Sequence, residues 1–109
     1  MTIHIEDLSF QSIIGILDFE RVKPQDVIIN LTIDYQYESN FINYTNVVDI
    51  IKFDLTENKY LLIEDALNKL SLKLKREFSS INTINLKITK PSIVPDCKVS
   101  VSNLYNFIS

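Results

Sequence analysis

The chain has 109 residues, a formal net charge of −3, 46% hydrophobic residues, one histidine and one cysteine. That supports one domain over residues 1–109 with its own core. It excludes a nucleic-acid binder, which needs a concentrated basic surface, and a membrane protein, since no apolar run approaches the ~20 residues that span a bilayer.

The N-terminus, Met1-Thr2-Ile3-His4-Ile5-Glu6-Asp7, lacks the basic start and apolar stretch of a signal peptide. Cys97 has no internal partner, which points to a reducing, cytoplasmic compartment. A zinc site wants several His or Cys ligands, so metal chemistry is not expected, and no cofactor is implied. A nucleophilic relay would depend on His4, which reads as an ordinary strand histidine. Cys97 reads as a small packing residue.

Ile3 and Ile5 alternate with polar neighbours, and Leu8 and Phe10 continue on shifted parity. A first strand with a bulge is expected. Pro24 bars a helix just before it. Val27, Ile29, Leu31, Ile33, Tyr35 and Tyr37 then point one way, with mostly polar residues between them, as in a two-faced strand. A first helix follows, capped by Thr45 or Asn46, with Asp49 in its opening turn and Val48, Ile51 and Leu55 on one side. A second carries Ile63, Leu67, Leu70, Leu74 and Phe78 at helical spacing, acids early and Lys73, Lys75 and Arg76 late. Ile84, Leu86 and Ile88 mark a third strand, Val99 and Val101 a fourth. The expected architecture is α+β: a four-stranded antiparallel sheet in ββααββ order, with two helices on one face. Its polar face and unpaired edge strands would be hidden by edge-to-edge pairing of copies into a ring.

Three segments stand out. Ile14-Gly15-Ile16-Leu17-Asp18-Phe19-Glu20-Arg21 contains the sole glycine and ends in an acid beside a base. Leu61-Leu62-Ile63-Glu64-Asp65 opens the second helix. Ile88-Thr89-Lys90-Pro91 runs from a strand into a Pro-framed loop. Taken singly, each has an ordinary explanation: Glu64 complements a helix N-terminus, and Glu20, Arg21 and Lys90 are solvated charges.

Together and in this order, with the Asp49 to Phe53 stretch, they resemble the dihydroneopterin aldolase family of the tunnelling fold over nearly the whole chain. The resemblance implies a homo-oligomeric ring, a tetramer or octamer, with sites between subunits. It implies a pterin substrate held by Glu64, with backbone help near Leu62 and Ile63 and apolar walls from Ile16, Leu17, Ile50 and Ile51. It implies retro-aldol cleavage of 7,8-dihydroneopterin, with Lys90 moving protons through water and Glu20 ordering the hydroxylated side chain. Neither a metal nor a Schiff base is needed, because the dihydropterin C=N accepts the electrons.

The family's tyrosine falls on Phe53 here, which keeps the ring and loses the hydroxyl. Lys52, Tyr44, Tyr60 or water would then deliver the proton, or the intermediate would be diverted, or Phe53 is simply core. Two other readings stand beside the aldolase. One is the sister dihydroneopterin triphosphate epimerase, which the run from Gln25 to Asn30 resembles. The other is a non-catalytic pterin- or purine-binding ring.

Overall fold

The long alternation from Val27 builds a central strand. In the computed structural model, which describes residues 1–38 and 40–108, the elements run β1 (Thr2–Ser12), α1 (Asp18–Val22), β2 (Gln25–Tyr35), α2 (Tyr44–Asn58), α3 (Ile63–Glu77), β3 (Ile81–Val94) and β4 (Cys97–Asn106). The sheet is antiparallel throughout, in the order β1-β2-β3-β4. The expected ββααββ order lacks the short helix α1. Its five residues are too few to show helical periodicity in sequence. α1 ends at Val22, one residue short of Lys23, whose position before Pro24 disfavours helical backbone.

Val27, Ile29, Leu31 and Ile33 of β2 and Ile84, Leu86 and Ile88 of β3 are buried on one face. They meet Val47, Ile51 and Leu55 of α2 and Ile63, Ala66, Leu67, Leu70 and Leu74 of α3. Truncating any one of the large ones to alanine would cost ~2–5 kcal/mol in a core of this kind. The opposite face is polar, and His4, Glu6, Asn30, Thr32, Asn85 and Lys87 line a shallow depression on it. Among the described residues β1 pairs only with β2 and β4 only with β3, so both edges carry open backbone groups.

The parity shift in β1 is a bulge. The register slips between Ile5 and Leu8, Asp7 adopts a left-handed φ of 56°, and its N–H is taken by Asn30 Oδ1 at 2.8 Å. Three local expectations need correction. Asn43 caps α2, accepting from the Thr45 N–H at 3.0 Å, so Asp49 lies beyond the first turn and Val47 rather than Val48 is fully buried. β3 does not give way to a loop at Pro91; it continues to Val94. The ladder is interrupted between Lys90 and Val94, so the missing N–H of Pro91 costs no pairing. Cys97 and Tyr37 are exposed; Cys97 follows the tight turn at Pro95 and Asp96.

Candidate active site

Gly15 is the residue on which the site turns. Its φ of +130° suits glycine alone, and a Cβ there would collide with the Glu20 carboxylate. The carboxylate therefore folds back over Gly15 from α1. Its Oε1 accepts the Leu17 N–H at 3.2 Å. Its Oε2 accepts the Gln25 amide at 2.7 Å and the Lys90 ammonium at 2.7 Å. The same Gln25 Nε2 donates to the Ile14 carbonyl at 2.8 Å, which ties the acid to the segment that follows β1.

Glu20 and Lys90 are 3% and 7% exposed, so this is a buried ion pair, closed across 70 positions of sequence. Two charges leave water only when each satisfies the other. Burial pushes the Glu20 carboxyl up, but Lys90, Gln25 and the Leu17 N–H together outweigh it and hold the group below the usual carboxylate range. Glu20 thus remains an acceptor at neutral pH. The pair is not sealed: Gln11, Phe19, Glu20, Lys23, Gln25 and Ser92 are among the residues lining an open cleft beside it. Ammonium nitrogen has three donors. Among the described residues Glu20 is the one side chain that takes a hydrogen bond from Lys90.

A second buried polar cluster lies between α2 and α3. Asp54 accepts from the Tyr60 hydroxyl at 2.8 Å and from the Asn58 amide at 2.9 Å, and Lys73 approaches to 3.8 Å. Burial, then the hydrogen bond to Asp54, raises the Tyr60 pKa.

The structure joins Glu20 and Lys90 directly, brings the Leu17 N–H onto Glu20, and places the remaining expected residues apart from the pair. Glu64 is exposed in the first turn of α3 and borders a different depression, with Asn68, Val101 and Tyr105. That depression and the Glu20 cleft share no lining residue. Ile16, Leu17 and Leu62 are exposed, and Ile50 is half-buried. Ile63 and Ile51 belong to the core, and Ile51 is wholly enclosed. Phe53 is 61% exposed, so it is not core; the Lys73 ammonium sits 5.4 Å from its ring centre. Among the described residues no three His, Cys, Asp or Glu side chains gather as metal ligands.

Sequence reasoning passed over Gln25, and a signal for it was there. Gln25 shares the inward parity of Val27 and Ile29 along β2, and Lys90 shares that of Ile84, Leu86 and Ile88 along β3. A polar residue on a buried parity must have a partner.

A profile of the dihydroneopterin aldolase (FolB) family matches residues 3–102. A dihydroneopterin triphosphate 2′-epimerase from Pseudomonas aeruginosa is 32% identical over 97 residues, covering 82% of this chain and 78% of that protein. Among solved structures, E. coli dihydroneopterin aldolase in complex with neopterin superposes with a TM-score of 0.86 at 16% identity, covering 97% of this chain and 99% of the other. A dihydroneopterin aldolase from a Burkholderia species bound to guanine gives 0.78 at 16% identity, covering 97% and 90%. These two likenesses show a shared fold.

Proposed function

The chain belongs to the dihydroneopterin aldolase (FolB) family, and from that premise we propose that it cleaves 7,8-dihydroneopterin at the Glu20–Lys90 pair. The products are 6-hydroxymethyl-7,8-dihydropterin and glycolaldehyde. The observation that carries this reading is the buried pair itself, 2.7 Å across and opening on a cleft.

The reaction needs a proton taken from a side-chain hydroxyl while the adjacent carbon–carbon bond breaks. The released electron pair enters the C=N of the dihydropterin, glycolaldehyde departs, and a proton returns to the enol-like carbon. Lys90 relays these protons through water, and its charge stabilises the oxygen that becomes negative. Glu20, held as a carboxylate, orders the hydroxylated side chain and the water. The substrate is its own electron sink, so no metal or Schiff base enters the scheme.

Glu64 selects the heterocycle. Neopterin and guanine, the ligands of the two aldolase structures, share an edge that presents an amino group beside a ring N–H. One carboxylate accepts both. Backbone groups near Leu62 and Ile63 assist, and the exposed Ile16 and Leu17 supply apolar wall, with Ile50 beside them. Ile51 supports that wall from the core. Because the Glu64 and Glu20 clefts are separate in one chain, a second copy completes each site. Edge pairing through β1 and β4 into a tetrameric or octameric ring supplies it.

The Pseudomonas relative supports a second reading, epimerisation of the triphosphate. That reaction breaks the same bond and rejoins it. Phe53 favours it, since without a hydroxyl there the cleaved intermediate persists longer before protonation. Incubating the protein separately with 7,8-dihydroneopterin and its triphosphate distinguishes the readings. Glycolaldehyde from the first supports the aldolase, and a 2′-epimer from the second supports the epimerase. Binding without either product leaves a non-catalytic pterin-binding ring, and no binding sinks the pterin assignment.

A further inference from the structure

Arg21 follows Glu20 in sequence, yet it turns away from that carboxylate. Its Nη1 donates to the carbonyls of Gly15 at 3.1 Å and Tyr60 at 3.2 Å, and its Nη2 donates to the carbonyl of Lys59 at 2.8 Å. The Gly15 N–H reaches the same Tyr60 carbonyl at 3.0 Å. Three of these hydrogen bonds stitch two segments together at one point, and the fourth, to the Gly15 carbonyl, braces the first segment. The first is the turn from Gly15 to Arg21, which carries Glu20. The second is the connection between α2 and α3, which runs through Lys59 and Tyr60 into Leu62, Ile63 and Glu64.

Each segment needs outside support. α1 has five residues, too few to hold its own geometry. The connection begins at Lys59, the C-cap of α2, in a left-handed conformation with φ 46°. Carbonyls at a helix end have no partner within the helix. A guanidinium fork, always charged and planar, meets the Lys59 carbonyl and the neighbouring loop carbonyls of Tyr60 and Gly15 in a fixed geometry, which an ammonium does not.

We infer that Arg21 is a positioning residue that fixes the Glu20–Lys90 pair relative to the start of α3 and so to Glu64. It touches neither of the two sites. Because each site takes its Glu64 and its Glu20–Lys90 pair from different copies, Arg21 sets the distance and angle between the two half-sites that one chain contributes to the ring. The consequence for catalysis rests on the proposed function; the mechanical coupling of the two segments does not.

The test uses the full chain with Arg21→Ala and Arg21→Lys, read by amide hydrogen exchange and by turnover of 7,8-dihydroneopterin. Exchange should accelerate in both variants at residues 13–17 and at residues 59–66 together. Turnover should fall in Arg21→Ala, with kcat down by ~10²-fold, as for a misplacement of about 1 Å. KM should rise with it, and added guanidinium ion should restore part of kcat. Arg21→Lys should retain more turnover than alanine and respond less to guanidinium; if Arg21→Ala does not fold, this variant carries the same comparisons. A folded Arg21→Ala with wild-type kcat and KM would overturn the inference, as would faster exchange confined to residues 18–22. If the wild-type protein turns over no pterin, the proposed function fails by itself. The exchange pattern then decides the coupling: acceleration in both segments upholds it, and acceleration in one refutes it.

Discussion

Two buried polar clusters, built from similar groups, show how differently burial can be used. Asp54, Asn58 and Tyr60 lie within six residues of one another and close the C-terminal end of α2. Both carboxylate oxygens of Asp54 are taken by neighbours from its own helix and the turn after it. Glu20 and Lys90 come from opposite ends of the chain, and the cleft beside them opens to solvent. The first cluster finishes a helix. The second holds a charged donor against a charged acceptor, and the acceptor borders a cleft. A cleft also borders Asp54, Asn58 and Tyr60, so burial, hydrogen bonding and access alone do not mark a reactive site; the direct pairing of opposite charges across the length of the chain tells the two apart.

That contrast can be broken by substitution. Lys90→Met leaves the Glu20 carboxylate buried without its cation, which costs ~3–5 kcal/mol of stability. It also removes the proposed proton relay, and turnover should fall by ~10²–10⁴-fold. Adding Glu20→Leu should restore stability in urea denaturation and leave turnover lost. Gly15→Ala should come next, losing ~1–3 kcal/mol from its backbone conformation. Its turnover falls as well, because the new Cβ displaces the Glu20 carboxylate. Tyr60→Phe leaves an oxygen of Asp54 unpaired and should cost ~1–3 kcal/mol, with kcat at 25 °C unchanged. A large drop in kcat there would erase the distinction between the clusters.

The two clusters also separate along the pH axis. The Glu20 pKa is lowered from 4.5, so its contribution is present above pH 4.5 and is lost as pH falls through the folded value below that. The Tyr60 pKa is raised from 10.0, so its contribution is present below pH 10.0 and is lost as pH rises beyond it. Urea midpoints measured across pH should show a shallower acid arm in Glu20→Gln, where Asp34 still contributes, and a shallower alkaline arm in Tyr60→Phe. The smallest expected change is at Phe53. Phe53→Tyr adds a hydroxyl to an exposed ring, so stability should move by less than ~0.5 kcal/mol. The yield of 6-hydroxymethyl-7,8-dihydropterin should rise; an unchanged yield means another group already delivers the proton.

Much of the sheet was legible because alternation is a local property. The β2 face from Val27 to Tyr35, the α3 stripe from Ile63 to Leu74 and the β1 bulge all follow from residue order. What escaped depends on distant partners. α1 exists because Gly15 and Arg21 find carbonyls near Tyr60, and β3 survives Pro91 because the ladder is already interrupted there. In the site, Glu20 and Lys90 could be nominated from their segments, but their contact could not, since 70 residues separate them. The exposure of Phe53 and the enclosure of Ile51 follow from which way α2 turns its faces. Asn43 sets that helix start through its cap, two positions before Thr45.

The central claim is that the Glu20–Lys90 pair carries out the chemistry while a different carboxylate holds the substrate. Lys90→Ala tests it most directly, with pterin affinity and glycolaldehyde release from 7,8-dihydroneopterin measured on the same preparation as the wild type. The expected result is wild-type affinity with glycolaldehyde release lost. Release at the wild-type rate from Lys90→Ala would contradict the account.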